Sequence, residues 1–344
     1  MRKTLIAGLI GSAFALGGTA QASLVFDLNG TLPGGVITAD AFDWAQTSFL
    51  AKGGNTAIAN FVAGTCGTGG VGCQFDVLTH ARLTGYTPSG GGGSIALPGG
   101  FGEITMIARF TEQVIGFGAI VPGRPTAAFE TTGAGWLEFY WSLAGDSTDL
   151  TGSGFNNGTL IGRLEGVLAG VYGSFTITDP SEVPLDGFGI NNYTGQMTVT
   201  GTGSQGILPA GTTSRVLDPN FFLTTLAGFD MRFADITIGL PFAAVNPSHC
   251  FNPTPRTDAD VGTSGLTSTC DTDHVNGLFS AQGVETGHTP VIGRVNGFGL
   301  DNPDFIATTD FNSAVRGVPE PGTLALVGLA LAGMGVGAAR RRRA

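Results

Sequence analysis

Oxygen-bearing side chains gather between residues 258 and 276, where they could bind a cation. The five are Asp258, Asp260, Asp271, Asp273 and Asn276. Ca²⁺ takes roughly six to eight oxygen ligands, often from one loop. The stretch from Asp271 to Gly277 departs from an EF-hand loop, because its third ligand and its glycine each come one position late and Gln282 replaces the closing glutamate. The pattern therefore favours a solvated acidic loop over a dedicated Ca²⁺ site, and we expect no other metal or cofactor.

Catalytic groups are sparse in this sequence. Glu130 and Glu138 are the residues that could act as the two carboxylates of a glycosidase. The nucleophile pattern G-x-S-x-G and the zinc pattern H-E-x-x-H are absent, and the four histidines are isolated from one another. The G-x-G-x-x-G match at Gly201–Gly206 is followed by Pro209 and Gly211, which oppose the helix that a dinucleotide site requires. The sequence therefore predicts no enzyme and no catalytic residues.

Aromatic residues that could stack on sugar rings lie in a strand predicted over residues 136–143. One face carries Leu137, Phe139 and Trp141, and the other carries Trp136, Glu138 and Tyr140. This period of two is typical of a half-buried strand. We therefore expect Trp141 in the core, and Trp136 and Tyr140 on the surface as candidate glycan contacts.

The elements that must position these residues are short strands. Glycine is unusually frequent, with 58 of 344 residues, and it is scattered among threonine, valine, isoleucine and phenylalanine. Such a composition favours strands and turns over helices. Residues 23–300 are therefore predicted to form an all-β body, a β-sandwich or jelly-roll-like fold, and residues 301–317 to form a linker.

The charge balance limits the partners of this body. Without Arg2, Lys3, Arg340–Arg343 and Glu320, which lie in the terminal segments, 10 basic and 25 acidic residues leave a charge near −15. A body of this charge repels nucleic acid and anionic lipid. We expect no nucleic-acid partner, and contact with a membrane only through the C-terminal segment.

The four cysteines form two local pairs. Cys66 and Cys73 lie close in sequence, as do Cys250 and Cys270. In an exported chain this spacing favours the disulfides Cys66–Cys73 and Cys250–Cys270. A zinc site is the alternative, but the sequence has no C-x-x-C pair and His249 is the only histidine next to a cysteine.

Both ends of the chain carry targeting patterns. Arg2 and Lys3 precede an apolar run, and Ala20 and Ala22 fit the small-x-small cleavage rule, so residues 1–22 are predicted to be a secretory signal peptide. Residues 318–344 begin with Val318-Pro319-Glu320-Pro321. An uncharged apolar stretch, residues 323–339, and the basic cluster Arg340-Arg341-Arg342-Arg343 follow. Such a run with a basic end predicts a transmembrane helix whose C-terminus is cytoplasmic.

The order of these three parts resembles the PEP-CTERM sorting signal of Gram-negative bacteria. The resemblance implies that an exosortase in the inner membrane recognises the Pro-Glu-Pro site and removes the helix and the basic tail. The remaining body would then reach the cell surface or the extracellular matrix. A plain membrane anchor is the alternative.

Several short stretches of the body resemble the flocculation-associated subgroup of these exported proteins. They are Phe26–Gly30, Ala41–Trp44, Glu138–Tyr140 with Asp149–Leu160, and Val295–Phe305. The resemblance implies a protein that promotes cell aggregation within exopolysaccharide. The alternative is a secreted carbohydrate-binding, lectin-like module or a glycan-active enzyme.

Overall fold

The computed structural model describes residues 22–32, 34–121, 124–147, 154–184, 197–238, 257–263 and 305–318. The strands in this part of the chain are β1 (Leu24–Asp27), β2 (Val36–Lys52), β3 (Gln74–Pro88), β4 (Ile95–Ala96), β5 (Glu103–Val121), β6 (Arg124–Ser142), β7 (Thr159–Val167), β8 (Tyr172–Pro184), β9 (Met197–Gln205), β10 (Leu208–Leu217), β11 (Leu226–Ile238) and β12 (Phe305–Gly317). One α-helix, α1 (Gly54–Ala63), accompanies them. The prediction of an all-β protein is confirmed.

The strands form one sheet that closes on itself. The order β2-β12-β11-β10-β7-β6-β5-β3 returns to β2, because β2 also pairs with β3. At the other end of the long strands, β8 and β9 bridge β6 and β11 in place of β7 and β10. The paired residues in these ladders are antiparallel. The arrangement differs from the predicted sandwich, because one continuous hydrogen-bonded sheet surrounds the core where two separate sheets were expected.

The interior of the closed sheet is filled by aromatic side chains. Trp44 on β2 stacks on Phe139 of β6 with 6.1 Å between ring centroids, and it lies 5.8 Å from Phe311 of β12. Its indole Nε1 donates a hydrogen bond to Ser313 Oγ at 3.0 Å. Contacts between strands on different sides of the ring show a packed interior, which holds the strands at fixed positions.

Strand β12 corrects the expectation that residues 301–317 form a linker. Phe305–Gly317 lies between β2 and β11 and is hydrogen-bonded to both. Its inward positions are buried, including the polar residues Thr309 and Ser313. Because small polar side chains occupy these core positions, the sequence lacks the alternation of apolar and polar residues that marks a strand. The stretch therefore resembled a linker.

Two flanking glycines and a disulfide fix the conformation of helix α1 and of the loop after it. Gly53 and Gly64 flank the helix with φ of 84° and 68°, a left-handed conformation that glycine adopts without strain. The disulfide Cys66–Cys73 follows, as the cysteine spacing predicted, and its Cα atoms lie 5.5 Å apart. The second predicted disulfide, Cys250–Cys270, lies outside the described residues.

Removing the Cys66–Cys73 bond is expected to lower the free energy of unfolding. The variant Cys66→Ala/Cys73→Ala should lose about 2–3 kcal/mol, because the open loop has more conformational entropy in the unfolded chain. Equilibrium urea unfolding of the oxidised protein would measure this loss. Unfolding of both proteins in a reducing buffer is the matched control. Every disulfide is then open in each of them, including the predicted Cys250–Cys270 bond, so their midpoints should coincide. Equal midpoints for the oxidised wild type and the variant would show that the bond does not stabilise the fold.

The predicted signal peptide up to Gln21, the predicted apolar helix at residues 323–339 and the arginine cluster lie outside the described residues. Within the described ranges, no helix has both the length and the apolar character needed to cross a membrane.

Candidate functional site

The end of β12 is the point at which the chain leaves the sheet. Gly317 pairs with Leu226 of β11, and its N–H donates to Ala22 O at 2.7 Å. The Val318 N–H donates to Thr225 O at 2.8 Å, and 44% of Val318 is exposed. The body is therefore hydrogen-bonded up to the residue before Pro319, which has no N–H to continue the ladder.

Ala22 and Gly317 lie next to each other and form an isolated antiparallel bridge. Ala22 is the last residue of the predicted signal peptide, and Gly317 directly precedes Val318. The two predicted processing points are therefore neighbours on one end of the body. Gly317 is required for this approach, because a Cβ on it would lie 2.6 Å from Ser23 O.

Replacing Gly317 with alanine is expected to destabilise this end of the sheet by about 1–3 kcal/mol, because the backbone of Ser23 must move to make room. Urea unfolding measured against Gly118→Ala would test this. Gly118 lies on β5, where an added Cβ meets no heavy atom within 4 Å. The two alanine variants should differ clearly, and identical midpoints would mean that the approach of Ser23 imposes no constraint.

A pocket of about 630 Å³ lies beside this exit. Its polar lining comes from Thr212, Thr213, Ser214 and Arg215 on β10 and from Thr224 and Thr225 before β11. Thr225 is also the residue whose carbonyl accepts the Val318 N–H. Thr225 therefore both lines the pocket and binds the start of the C-terminal segment 318–344, called the tail below.

The predicted glycan contacts Trp136 and Tyr140 are buried, with 8% and 1% of each residue exposed, so their predicted exposure was wrong. The predicted alternation itself is right, since Leu137 and Phe139 face the core. Residues 154–157 lie over the part of the outer face next to Tyr140, whose partner on β5 is Thr105. In this segment Phe155 stacks on His80 with ring centroids 3.9 Å apart, and Phe155 O accepts a hydrogen bond from the Thr105 hydroxyl at 2.7 Å.

Trp141, which was expected in the core, packs against it while staying partly exposed. Its indole Nε1 donates to Phe101 O at 2.9 Å. The indole is therefore held at the end of β6, where the core meets the loop before β5.

The covered outer face holds a buried ion pair. Arg163 Nη1 donates to Glu138 Oε1 at 2.8 Å, and their side chains are 7% and 1% exposed. The Tyr140 hydroxyl donates to Glu138 Oε2 at 2.7 Å, and Arg163 also bonds Glu165. Because both Glu138 oxygens accept hydrogen bonds, the buried charges are compensated.

Glu130 and Glu138 are not brought together as glycosidase carboxylates. They lie on the same strand β6 and pair with Gln113 and Ile107 of β5, six positions apart, which corresponds to roughly 20 Å at the usual rise per residue. A glycosidase pair needs a separation of about 5–10 Å. The pairing considered from the sequence is therefore wrong.

His80 lies inside this covered face. Its Nδ1 is 3.2 Å from the Thr47 hydroxyl, and the residue is fully buried. Burial lowers the pKa of His80 from 6.5 to about 3, against the opposing effect of a backbone hydrogen bond. The imidazole is therefore neutral at physiological pH.

Glu112 is a buried carboxyl that the sequence reasoning missed. It lies on β5 opposite Thr131 of β6, and only 2% of it is exposed. Burial raises its pKa from 4.5 to about 8, and a contact with the Gln205 side chain opposes only part of this rise. Its Oε1 has no hydrogen-bond partner in the described structure. The signal in the sequence was its place between the inward residues Phe110 and Val114.

The predicted cation ligands are only partly described. Asp260 Oδ2 accepts hydrogen bonds from the Thr257 N–H at 2.7 Å and from the Thr257 hydroxyl at 2.8 Å. The side chain of Asp258 and the residues Asp271, Asp273 and Asn276 lie outside the described part. No group of three or more histidine, cysteine, aspartate or glutamate side chains that could hold a metal occurs among the described residues.

The last described strand ends directly before the sequence Val318-Pro319-Glu320-Pro321. Residues 317–343 match the PEP-CTERM protein-sorting motif. The predicted resemblance at residues 318–344 is thereby confirmed, and it indicates an exported protein that an exosortase processes and sorts to the cell surface. No curated protein and no solved structure matches the chain.

Proposed function

We propose that the processed body is a non-enzymatic protein of the cell surface or extracellular matrix that promotes cell aggregation in association with exopolysaccharide. The observation that carries this proposal is the position of the sorting motif, which begins at the last residue of β12. A cut at the Pro-Glu-Pro site would therefore release the whole sheet intact. The resemblance of the body to the flocculation-associated subgroup supports the same role.

Two buried carboxylates, Glu138 and Glu103, favour a structural role over catalysis. Glu138 is neutralised by Arg163, and Glu103 accepts hydrogen bonds from the backbone N–H and the hydroxyl of Ser147. The first contact joins β6 to β7, and the second holds the segment after β6 to β5. Catalytic carboxylates instead need one face open to substrate.

Contact with exopolysaccharide requires an exposed surface, and the outer face of β8 offers one. Tyr172 is 63% exposed and lies opposite Glu130 of β6. Further along this face the hydroxyls of Thr126 and Thr176 lie 2.8 Å apart. An aromatic ring beside hydroxyl and carboxyl groups offers both an apolar surface and hydrogen-bonding groups to a sugar. We place the candidate glycan contact here, in place of Trp136 and Tyr140.

The aggregation role is tested by deleting the coding region and measuring cell settling at equal polysaccharide yield. Complementation with the full-length chain should restore settling. Complementation with a chain lacking Val318–Ala344 should not, because that body is never sorted. Unchanged settling in the deletion strain would overturn the proposal.

A carbohydrate-binding module is the second candidate, and the exposed ring of Tyr172 is the observation that favours it. Tyr172→Ala is expected to weaken binding to the purified exopolysaccharide by roughly 3–10-fold, the value of one aromatic contact. Tyr172→Phe is the matched control and should keep most of the binding, because the ring remains. Equal binding by wild type and Tyr172→Ala would show that the outer face of β8 does not bind the polysaccharide through Tyr172.

A further inference from the structure

Arg215 is a cation in the pocket beside the exit of the tail. It is exposed, and its side chain lies over Gly211, where an added Cβ would be 2.9 Å from Arg215 Nε. Among the described residues Arg82, Arg109, Arg163 and Arg316 each form an ion pair, whereas Arg124, Arg215 and Arg232 form none. Of these three, only Arg215 lines the pocket. In a body with a charge near −15, such a cation is a site for a carboxylate.

The nearest carboxylate in sequence beyond the exit belongs to the tail. Val318 is bonded to Thr225 on the pocket wall, and the following residues are Pro319, Glu320 and Pro321. The two prolines favour an extended backbone that advances about 3 Å per residue. Glu320 is therefore about 6 Å of backbone from Val318, before its side chain is counted. Thr225, which accepts the Val318 N–H, and Arg215 both line the pocket, so the extended tail begins at the wall of the pocket that holds Arg215.

We propose that this pocket binds the Pro319–Pro321 segment of the unprocessed chain, with the guanidinium of Arg215 paired to the carboxylate of Glu320. The hydroxyls of Thr212, Thr213 and Ser214 supply further donors around the carboxylate. The sorting motif is then held against the body beside β12. The exosortase would therefore bind the motif together with the folded surface that surrounds it.

Carbodiimide crosslinking tests this contact, because it joins a lysine amine to a carboxylate that touches it. The chain suits the method, since Lys3 and Lys52 are its only lysines. The full-length precursor carrying Arg215→Lys would be made in a host without exosortase, purified in detergent, crosslinked and mapped by mass spectrometry. We expect a crosslink between positions 215 and 320 as the main product at position 215. Adding Glu320→Gln should abolish it.

Arg232→Lys is the matched control, because Arg232 is also exposed and lies on the neighbouring strand β11. It should give no crosslink to Glu320. Equal crosslinking of Glu320 to positions 52, 215 and 232 would overturn the proposal, as would position 215 joined only to other carboxylates or to a second copy of the chain. The result is independent of settling and polysaccharide, so its failure would leave the aggregation proposal untouched.

Discussion

Glu112→Gln is expected to remove the loss of stability that the wild-type protein shows as the pH rises above about 6.5. The pKa of Glu112 is about 8 in the folded state and 4.5 as its ordinary value. Between these values the folded carboxyl keeps its proton while the unfolded one loses it, so the folded state binds more protons. The contribution of Glu112 to stability then falls by about 1.4 kcal/mol per pH unit, and by about 4 kcal/mol over the interval. Up to about pH 6.5 the opposite pH dependence of His80 offsets this fall. Glutamine cannot ionise, so the variant should show no such fall.

Urea unfolding at a series of pH values would measure this slope, and His80→Gln provides the matched control. The pKa of His80 is depressed to about 3 from 6.5, so the folded state binds fewer protons and its stability falls as the pH drops below 6.5. The two groups together predict a maximum of stability between about pH 4.5 and 6.5. Glu112→Gln should remove only the fall in stability above about pH 6.5, and His80→Gln should remove only the fall below about pH 4.5. If the stability of Glu112→Gln still fell with rising pH as in the wild type, the raised pKa of Glu112 would not be the cause of that fall.

Arg163→Met is expected to lower the free energy of unfolding by about 3–5 kcal/mol. The substitution leaves the charge of Glu138 buried without a cation, and burying an unpaired charge is costly. The double variant Glu138→Gln/Arg163→Met should recover much of the loss, because glutamine carries no charge and can still accept a hydrogen bond from Tyr140. Urea unfolding at constant pH would measure both.

Arg109→Met is the matched control for burial. Arg109 and Asp76 are also 2.8 Å apart, but their side chains are 40% and 29% exposed. Water screens this pair, so its loss should cost no more than about 1 kcal/mol. Similar losses for the two arginine variants would show that burial does not set the strength of these pairs.

Local pattern determined much of this protein from the sequence. The Pro-Glu-Pro motif and the cluster Arg340–Arg343 indicated the sorting signal, and the matched motif confirms it. The spacing of Cys66 and Cys73 predicted their disulfide. The alternation around Phe139 indicated which residues face the core. Each of these signals lies within a few consecutive residues, so no knowledge of distant contacts was needed.

Only the tertiary structure decided what covers each face of the sheet. Alternation shows that Trp136 and Tyr140 share a face, but it cannot show that Phe155 and its neighbours fold over that face. Alternation also placed Glu112 on the face of Phe110, but it did not reveal that its Oε1 has no hydrogen-bond partner among the described residues. These outcomes depend on contacts between residues distant in sequence.

The closure of the sheet depends on distant contacts as well. Phe305–Gly317 becomes a strand because β2 and β11 offer it two ladders of hydrogen bonds, and its own small polar residues gave little sign of this. The same closure brings Ala22 beside Gly317 and sets the pocket of Arg215 next to Val318. The sequence by itself determined that the chain is exported and where its sorting signal begins. The pairing of distant strands decided that this signal begins at the end of a strand that is hydrogen-bonded on both sides. Backbone hydrogen bonds between strands carry no local sequence signature, so the sequence could not show this.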